Sequence, residues 1–162
     1  ADVDKMLAYL CEGDDHFTIA GNVDIPGIVH GDGGDDHLNA GGGPAVLLGD
    51  AGNDTLGGGI GRAILIGGID EDRLVAGNDD DVLIGGTTDI DGDDEALMDV
   101  LAAWIADDSY ENRVSAVDAL LTVIDDEDED KLTGSSGRDL FYDGLGDILT
   151  DVKTKKDAET VL

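Results

Sequence analysis

A chain of 162 residues fits one domain, or one domain with an insertion, and its 39 Asp and Glu against 9 Lys and Arg give a formal charge of −30. That charge excludes nucleic acid and anionic membrane surfaces, which need clustered Lys and Arg, and makes cations the expected partners of a chain otherwise strained by self-repulsion. Aromatic residues are only 4% of the chain, so a core must be layered from small branched side chains, which favours a repetitive solenoid over a globule.

Acidic composition with few aromatics is also compatible with disorder, unless a repeat is present. Cys11 is the single cysteine; no intrachain disulfide can form, and metal is the candidate stabiliser. No stretch approaches the roughly 18 consecutive apolar residues of a membrane span, and the amino end lacks a charged-then-apolar leader. The expectation is a soluble chain, the mature part of something longer.

In chain order, residues 1–30 come first. FTIAG and IPGIVHG read as strands bounded by Gly and Asn, so this region is expected to form irregular opening coils over the first regular one. From Gly31 a period of nine takes over. The segments GDGGDDHLN, AGGGPAVLL, GDAGNDTLG, GGIGRAILI, GGIDEDRLV and AGNDDDVLI begin at Gly31, Ala40, Gly49, Gly58, Gly67 and Ala76 and follow one another without a gap. The eighth position is Leu38, Leu47, Leu56, Leu65, Leu74 and Leu83; the sixth is Asp36, Ala45, Asp54, Ala63, Asp72 and Asp81. Such regularity removes most of the case for disorder.

The pattern breaks after Gly85-Gly86-Thr87-Thr88 and returns as DKLTGSSGRDLFY. Asp130 and Leu132 take positions six and eight, and Gly134, Gly137, Asp139 and Phe141 take positions one, four, six and eight, after an insertion of 40 residues. The insertion is expected to be a helical hairpin. Leu97, Leu101, Trp104 and Ile105 lie on one face of a helix starting near Asp94; Tyr110, Val114, Val117, Leu121 and Ile124 line a second, capped by Ser109, with Asp107 and Asp108 between them. Trp104 is read as core packing between the helices rather than a ligand platform. The expected divisions are 1–30, opening coils; 31–88, regular repeats; 89–127, helical hairpin; and 128–162, resumed repeats and a cap. From GDILTD onward, over GDILTDVKTKKDAETVL, the nonapeptide is lost; the final ETVL weakly resembles the uncleaved carboxy-terminal signal of type I secreted proteins, and a capping strand is the alternative.

The six segments resemble the repeats-in-toxin family, whose nonapeptide is G-G-x-G-x-D-x-U-x with U apolar. The resemblance covers Gly31 to Ile84 and implies a mainly β fold, a right-handed parallel β-roll or β-helix solenoid, here interrupted by a two-helix hairpin. In that family six residues make a turn and three a short strand, and two nonapeptides complete a coil of about eighteen residues. Glycine permits the tight turn, and the Leu at position eight points inward and stacks on its equivalents. The Asp at position six offers a hard oxygen to Ca²⁺ held between successive turns. The resemblance implies that carbonyls of Gly31, Gly33, Gly49, Asp50, Ala51, Gly52, Gly67, Gly68 and Asp70 complete the ligands.

Alternating turns then sort position six into two columns, one with Asp36, Asp54 and Asp72, the other with Ala45, Ala63 and Asp81. Like charges about 4.8 Å apart repel by roughly 3 kcal/mol at an effective dielectric near 20, so an aspartate column without a cation should destabilise the stack. Ca²⁺ is expected between the Asp36 and Asp54 turns and between the Asp54 and Asp72 turns. Asp130 and Asp139, carried back by the resumed repeat, add sites with Asp72 and with Asp81, giving two to four ions. The two faces should differ in metal content.

Other motifs carry less. Asp89 to Asp94 suggests an EF-hand loop, but Asp94 stands where Gly is needed and Val100 where the bidentate Glu belongs. The run Asp125 to Asp130 is read as solvated linker except for Asp130. His16, His30 and His37 lack zinc spacing, and Gly57 to Ala63 mimics a phosphate loop with no helix after it. No nucleophile elbow or acid–base pair appears, so no enzymatic activity is expected.

The functional expectation is calcium binding that folds and stabilises a secreted or cell-surface module, exported by a type I route. Two alternatives stay open. The module could self-assemble through its ends into a calcium-stabilised surface layer or filament, or serve as an accessory domain of a secreted toxin or hydrolase whose catalytic part lies elsewhere.

Overall fold

The computed structural model describes residues 4–152 and 160–161. In chain order its strands are β1 (Met6–Tyr9), β2 (His16–Thr18), β3 (Gly27–His30), β4 (His37–Asn39), β5 (Ala45–Ala51), β6 (Thr55–Gly57), β7 (Ala63–Ile69), β8 (Arg73–Val75), β9 (Val82–Ile84) and β10 (Thr87–Thr88). Helices α1 (Asp94–Ile105) and α2 (Tyr110–Asp118) follow, then β11 (Val123–Ile124), β12 (Lys131–Thr133), β13 (Leu140–Tyr142), β14 (Ile148–Thr150) and β15 (Thr160–Val161). The chain is mainly strand. Two parallel sheets carry it, ordered β1-β3-β5-β7-β9-β13-β15 and β2-β4-β6-β8-β12-β14, so successive strands of the repeat alternate between them.

The nine-residue period explains this alternation. Each segment has one short strand, and every second segment returns to the same sheet, pairing Ala45 with Ala63 and Thr55 with Arg73 one 18-residue step on. The position-eight residues form two inward rows. Leu47, Leu65, Leu83 and Phe141 are neighbours in one sheet, Leu38, Leu56, Leu74 and Leu132 in the other, and all eight are fully buried. Burying a Leu contributes about 1.5–3 kcal/mol, so these rows are the main cohesion between the sheets.

The sheets differ on their outer faces. Strands of the seven-stranded sheet are apolar on both sides: Val46, Leu48, Ile64, Ile66, Val82 and Ile84 point away from the inter-sheet core yet are buried, because α1 and α2 lie over them. A parallel sheet buried on both faces reads as a continuous apolar run, as AVLL, AILI and VLI do. The other sheet turns His37, Thr55, Arg73 and Lys131 outward and stays uncovered.

The hairpin has its expected caps. Asp93 Oδ1 accepts the Glu95 and Ala96 amides at 3.1 Å, and Ser109 Oγ accepts the Asn112 amide at 3.2 Å. Leu97, Val100, Leu101 and Trp104 form the buried face of α1. Ile105, expected on that face, is exposed, because Val100 completes the stripe one turn earlier. Leu121 is buried just beyond α2, whereas Ile124 belongs to β11 and is exposed. Trp104 packs against more than its partner helix. Its indole nitrogen donates to the Asp80 carbonyl at 2.8 Å, while Arg113 stacks on its ring and pairs with the Asp80 carboxylate at 2.5 Å. The hairpin is thereby pinned to the turn that precedes β9.

Residues 4–30 are more regular than expected. β1 and β2 pair in parallel with β3 and β4, and Cys11 and Gly13 repeat the positive φ of Asp32 and Gly34, 70° and 123° against 70° and 121°. The segment beginning at Leu10 is thus a full repeat turn. A nine-residue scan misses it because three extra residues before β3 lengthen the step to 21. At the other end one residue is missing, the step is 17, and β14 still pairs with β12, so the pattern continues into GDILTD, as far as Thr150. Of the terminal ETVL, Thr160 and Val161 pair with β13; Glu159 and Leu162, and with them the secretion-signal reading, lie outside the described residues.

Candidate metal centre

Along one side of the molecule the position-six aspartates form a ladder. Each carboxylate reaches back one step: Asp36 Oδ1 accepts the Asp15 amide at 2.7 Å, Asp54 that of Asp36 at 2.6 Å, Asp72 that of Asp54 at 2.7 Å, and Asp130 that of Asp72 at 2.8 Å. Asp147 Oδ1 then accepts the Asp130 amide at 3.1 Å. The bridge between Asp72 and Asp130 spans 58 residues, so the insertion leaves the column intact in space. Asp36, Asp54, Asp72 and Asp130 are all at most 3% exposed.

One oxygen of each is satisfied; the other is not. Oδ2 of Asp36, Asp54, Asp72 and Asp130 is sealed from solvent and has no hydrogen-bond donor. Those of Asp36, Asp54 and Asp72 each lie beside a glycine of their own turn and a carbonyl of the next, and that of Asp130 beside Gly85 and Asp147 Oδ2. A methyl on Gly49 would overlap Asp54 Oδ2 and the Gly67 carbonyl oxygen together; Gly31 is crowded in the same way by Asp36 Oδ2 and the Gly49 carbonyl, and Gly67 by Asp72 Oδ2 and the Gly85 carbonyl. The Gly85 carbonyl also accepts the Gly68 amide at 3.1 Å, but the carboxylate oxygen in each pair has no donor and faces a second acceptor, which calls for a proton or a cation.

Burial sets the electrostatics. It raises the carboxyl pKa of Asp54 to about 7, of Asp72 to about 9 and of Asp130 to about 7, against an ordinary 3.8, and raises that of Asp36 as well. The accepted amides pull the other way, and neighbouring aspartates add to the rise. In a metal-free column burial therefore favours the protonated form, most strongly at Asp72.

The second column is built differently. Asp81 Oδ1 accepts the Ala63 amide at 2.6 Å and Oδ2 the Gly77 amide at 2.5 Å; Asp139 accepts Asp81 at 3.0 Å and Ser135 at 3.1 Å. The expected site between Asp81 and Asp139 differs from the first column in this respect: a main-chain amide reaches each oxygen of both carboxylates. Ala45 and Ala63 complete that face without carboxylates.

Of the carbonyls expected as ligands, Gly49 and Gly67 line the cradles. Gly33 and Ala51 instead accept the Gly13 and Gly34 amides at 2.6 and 2.9 Å. Those of Gly31, Asp50, Gly52, Gly68 and Asp70 belong to the same turns but are not among the atoms crowding Gly31, Gly49 and Gly67. Gly85 is a cradle carbonyl that the sequence did not mark, because the repeat is cut there. Asp15 and Asp147 were also missed, both hidden by changes in step length.

The chain matches no known family, no curated protein and no solved structure. Among the described residues no group of three or more His, Cys, Asp or Glu is arranged to hold a metal by side chains alone. A hard cation in this column would thus depend on one carboxylate per step plus main-chain carbonyls. That donor set, all oxygen, suits Ca²⁺, and the orphaned Oδ2 atoms and glycine cradles fit it.

The motifs set aside have local partners. Asp91 accepts from the Thr88 amide at 2.8 Å and from its hydroxyl, Asp89 accepts the Thr122 amide at 2.8 Å, and Asp93 caps α1, so this segment is a helix entry. His16 and His37 stack at 4.8 Å on the uncovered sheet. His30 lies between Asp50 at 3.6 Å and Asp94 at 3.0 Å.

Proposed function

We propose that the chain is a calcium-dependent folding and stability module of the repeats-in-toxin kind, a right-handed parallel β-roll interrupted by a helical hairpin and working outside the cell. The observation that carries this reading is the run of buried, donorless Oδ2 atoms on Asp36, Asp54, Asp72 and Asp130. Each aspartate holds the preceding turn through Oδ1 and presents Oδ2 to a glycine-lined space, shared with a carbonyl for Asp36, Asp54 and Asp72 and with Asp147 for Asp130; this geometry orients an oxygen ligand and excludes water. When bound, Ca²⁺ supplies the positive charge that lets these carboxyls ionise inside the protein. The resemblance adds the export route and the setting, since sites of extracellular modules have dissociation constants of roughly 10⁻⁴ to 10⁻³ M, too weak for cytosolic calcium.

The supply of calcium then decides whether the chain folds. Each occupied site adds about 2.7 kcal/mol at a hundred times its dissociation constant, provided the unfolded chain does not bind. Far-ultraviolet circular dichroism at pH 7.5 tests the reading. EGTA should abolish the strand signal and excess CaCl₂ restore it, with terbium luminescence titrating the same sites; an unchanged spectrum in EGTA and no ion bound would overturn it.

A further inference from the structure

The uncovered sheet presents two outward rows to solvent. One runs His16, His37, Thr55, Arg73, Lys131 and Ile148, each the Cα partner of the next; the other, from Thr18 to Thr150, carries no charge. Neither row holds an acidic residue, although the chain has 39 Asp and Glu. Arg73 and Lys131 are exposed, stand opposite each other on adjacent strands, and enter no salt bridge among the described residues. Like charges so placed repel. Elsewhere the chain neutralises its cations: Arg62 pairs with Asp79, Arg113 with Asp80 and Arg138 with Glu111. The fold thus keeps an unneutralised pair on the one sheet face that it leaves open.

Beside the pair the face is concave. A pocket of about 350 Å³ spans β4, β6 and β8, with Thr55, the strand neighbour of Arg73, in its wall. Asn39 and Thr55 offer it an amide and a hydroxyl, Val75 an apolar patch, and no Asp, Glu, Lys or Arg lines it. A methyl on Gly57 would overlap Asn39 Oδ1, so the glycine leaves that amide room over the strand. Glu71 and Glu129 border the cations in the turns before β8 and β12; the opposite border, at Gly58, Gly77 and Asn78, is uncharged and is the side from which an anion can approach. Neither row holds a Trp, Tyr or Phe, so the face lacks the aromatic core of a protein interface, and a sheet face, unlike an edge, cannot take up an added strand. Two cations cannot match nucleic acid, with about one charge per 1.7 Å. Neutral hydrogen-bonding groups with an apolar patch and a cation pair alongside complement a sugar chain with spaced carboxylates.

We propose that the uncovered sheet binds an acidic oligosaccharide, a uronate-bearing sugar chain whose carboxylates meet Arg73 and Lys131 and whose hydroxyls enter the pocket at Asn39 and Thr55. The sugar lies across the strands, because pocket and cations follow one another on successive strands about 4.8 Å apart. Arg73 supplies a planar fork that fits a carboxylate bidentately, and Lys131 a second, point-like charge. No residue of the aspartate column takes part, so this site stands or falls separately from the calcium reading.

Calorimetric titration of the full chain in calcium at pH 7.5 tests this, with hexagalacturonate as ligand and maltohexaose and hexaglutamate as comparisons. Arg73→Gln and Lys131→Gln should each weaken hexagalacturonate binding roughly tenfold, the loss of one charge-assisted hydrogen bond, and Asn39→Ala should weaken it several-fold. Lys5→Gln, the same change of charge on an exposed lysine outside both rows, should leave it unchanged. Equal weakening by all three charge variants reveals general electrostatics, and no weakening by Arg73→Gln and Lys131→Gln reveals calcium bridging between carboxylates; either result overturns the proposal. Maltohexaose or hexaglutamate bound as tightly as hexagalacturonate overturns it too, the first because the cations then take no part and the second because the partner is then an acidic peptide. A wild type that binds no hexagalacturonate sinks it outright, while the calcium reading stands. Circular dichroism in calcium checks that each variant folds, and should Arg73→Gln fail to fold, Lys131→Gln decides.

Discussion

Raising the pH of the chelated protein from 4 to 9 should unfold it. Asp54 and Asp130 have folded pKa values of about 7 against 3.8 for the free side chain, because their burial disfavours the ionised form. A group whose folded pKa is raised keeps its full contribution below the unfolded value and loses it as pH climbs towards the folded one, since the unfolded chain gives up its protons first. The window therefore opens near pH 4 and closes near pH 7 for these two, and near 8 and 9 for Asp81 and Asp72. At about 1.4 kcal/mol per pH unit, Asp54 and Asp130 each cost about 4 kcal/mol once ionised in the fold. Against the 5–15 kcal/mol that holds a typical domain, costs of that order make ionisation of a metal-free column strongly destabilising.

Thermal melts followed by circular dichroism in EGTA, at pH 4.5, 6, 7.5 and 8.5, measure this directly. Two other sources act in the same direction and must be separated. General repulsion among exposed carboxylates is screened at 1 M salt, where the Debye length is about 3 Å, whereas the buried groups are not. His30 also has a raised pKa; burial works against its charge, but Asp50 and Asp94 outweigh it. Asp54→Asn isolates the column, because Asn Oδ1 can still accept the Asp36 amide while the buried acid is gone, and the slope of stability against pH should flatten. Calcium should reverse the trend and release protons on binding at pH 7, as a pH-stat would record. A chelated protein whose melting temperature is flat or rising between pH 5 and 8 in 1 M salt refutes the reasoning.

Gly49→Ala should cost more than about 2 kcal/mol in calcium, because the new methyl overlaps Asp54 Oδ2 and the Gly67 carbonyl, whereas Gly92→Ala, with nothing within 4 Å, should stay within about 0.5 kcal/mol; denaturant melts of both compare them. Trp104→Ala should destabilise by about 3–5 kcal/mol and raise dye binding to the uncovered face of Val46, Leu48, Ile64 and Ile66, read by thermal melts and ANS fluorescence.

The parts of the molecule that obey the nine-residue period were legible, and those that change its length were not. Leu at position eight in six consecutive segments located both inward rows, and the same arithmetic across the insertion placed Asp130 beside Asp72 and Asp139 beside Asp81. Leu10 to Thr18 repeats the turn of Gly31 to Asn39 down to the Asp-Asp-His at its end, but three added residues shift it out of phase. Side-chain valence was beyond the pattern. Position six is Asp in both columns, yet Asp81 has both oxygens satisfied and Asp72 only one, a difference set by whether a nearby amide, such as that of Gly77, turns inward. Asp126 looked like one charge in a solvated run, yet both its carboxylate oxygens are sealed from solvent, in a segment whose neighbours include Gly86, far away along the chain.

The place of the hairpin follows from the asymmetry of the two sheets. One sheet alternates inward Leu with outward His, Thr, Arg and Lys, and needs no cover. The other is apolar on both sides over three successive strands, so without α1 and α2 a contiguous apolar surface would face water, the kind of patch that drives association. The cover has to enter and leave at a turn, and here it does so within the aspartate column, between Gly86 and Asp130. A cut at that point interrupts the ladder whose outer carboxylate oxygens lack donors, and Asp130 is the carboxylate that resumes it. The same seam thus joins the apolar cover to the charged column: Trp104 and Arg113 hold the hairpin at Asp80, and its base closes beside Asp72 and Asp130. Loosening either attachment should expose the other, and hydrogen exchange of the hairpin should therefore respond to calcium and to Trp104→Ala alike.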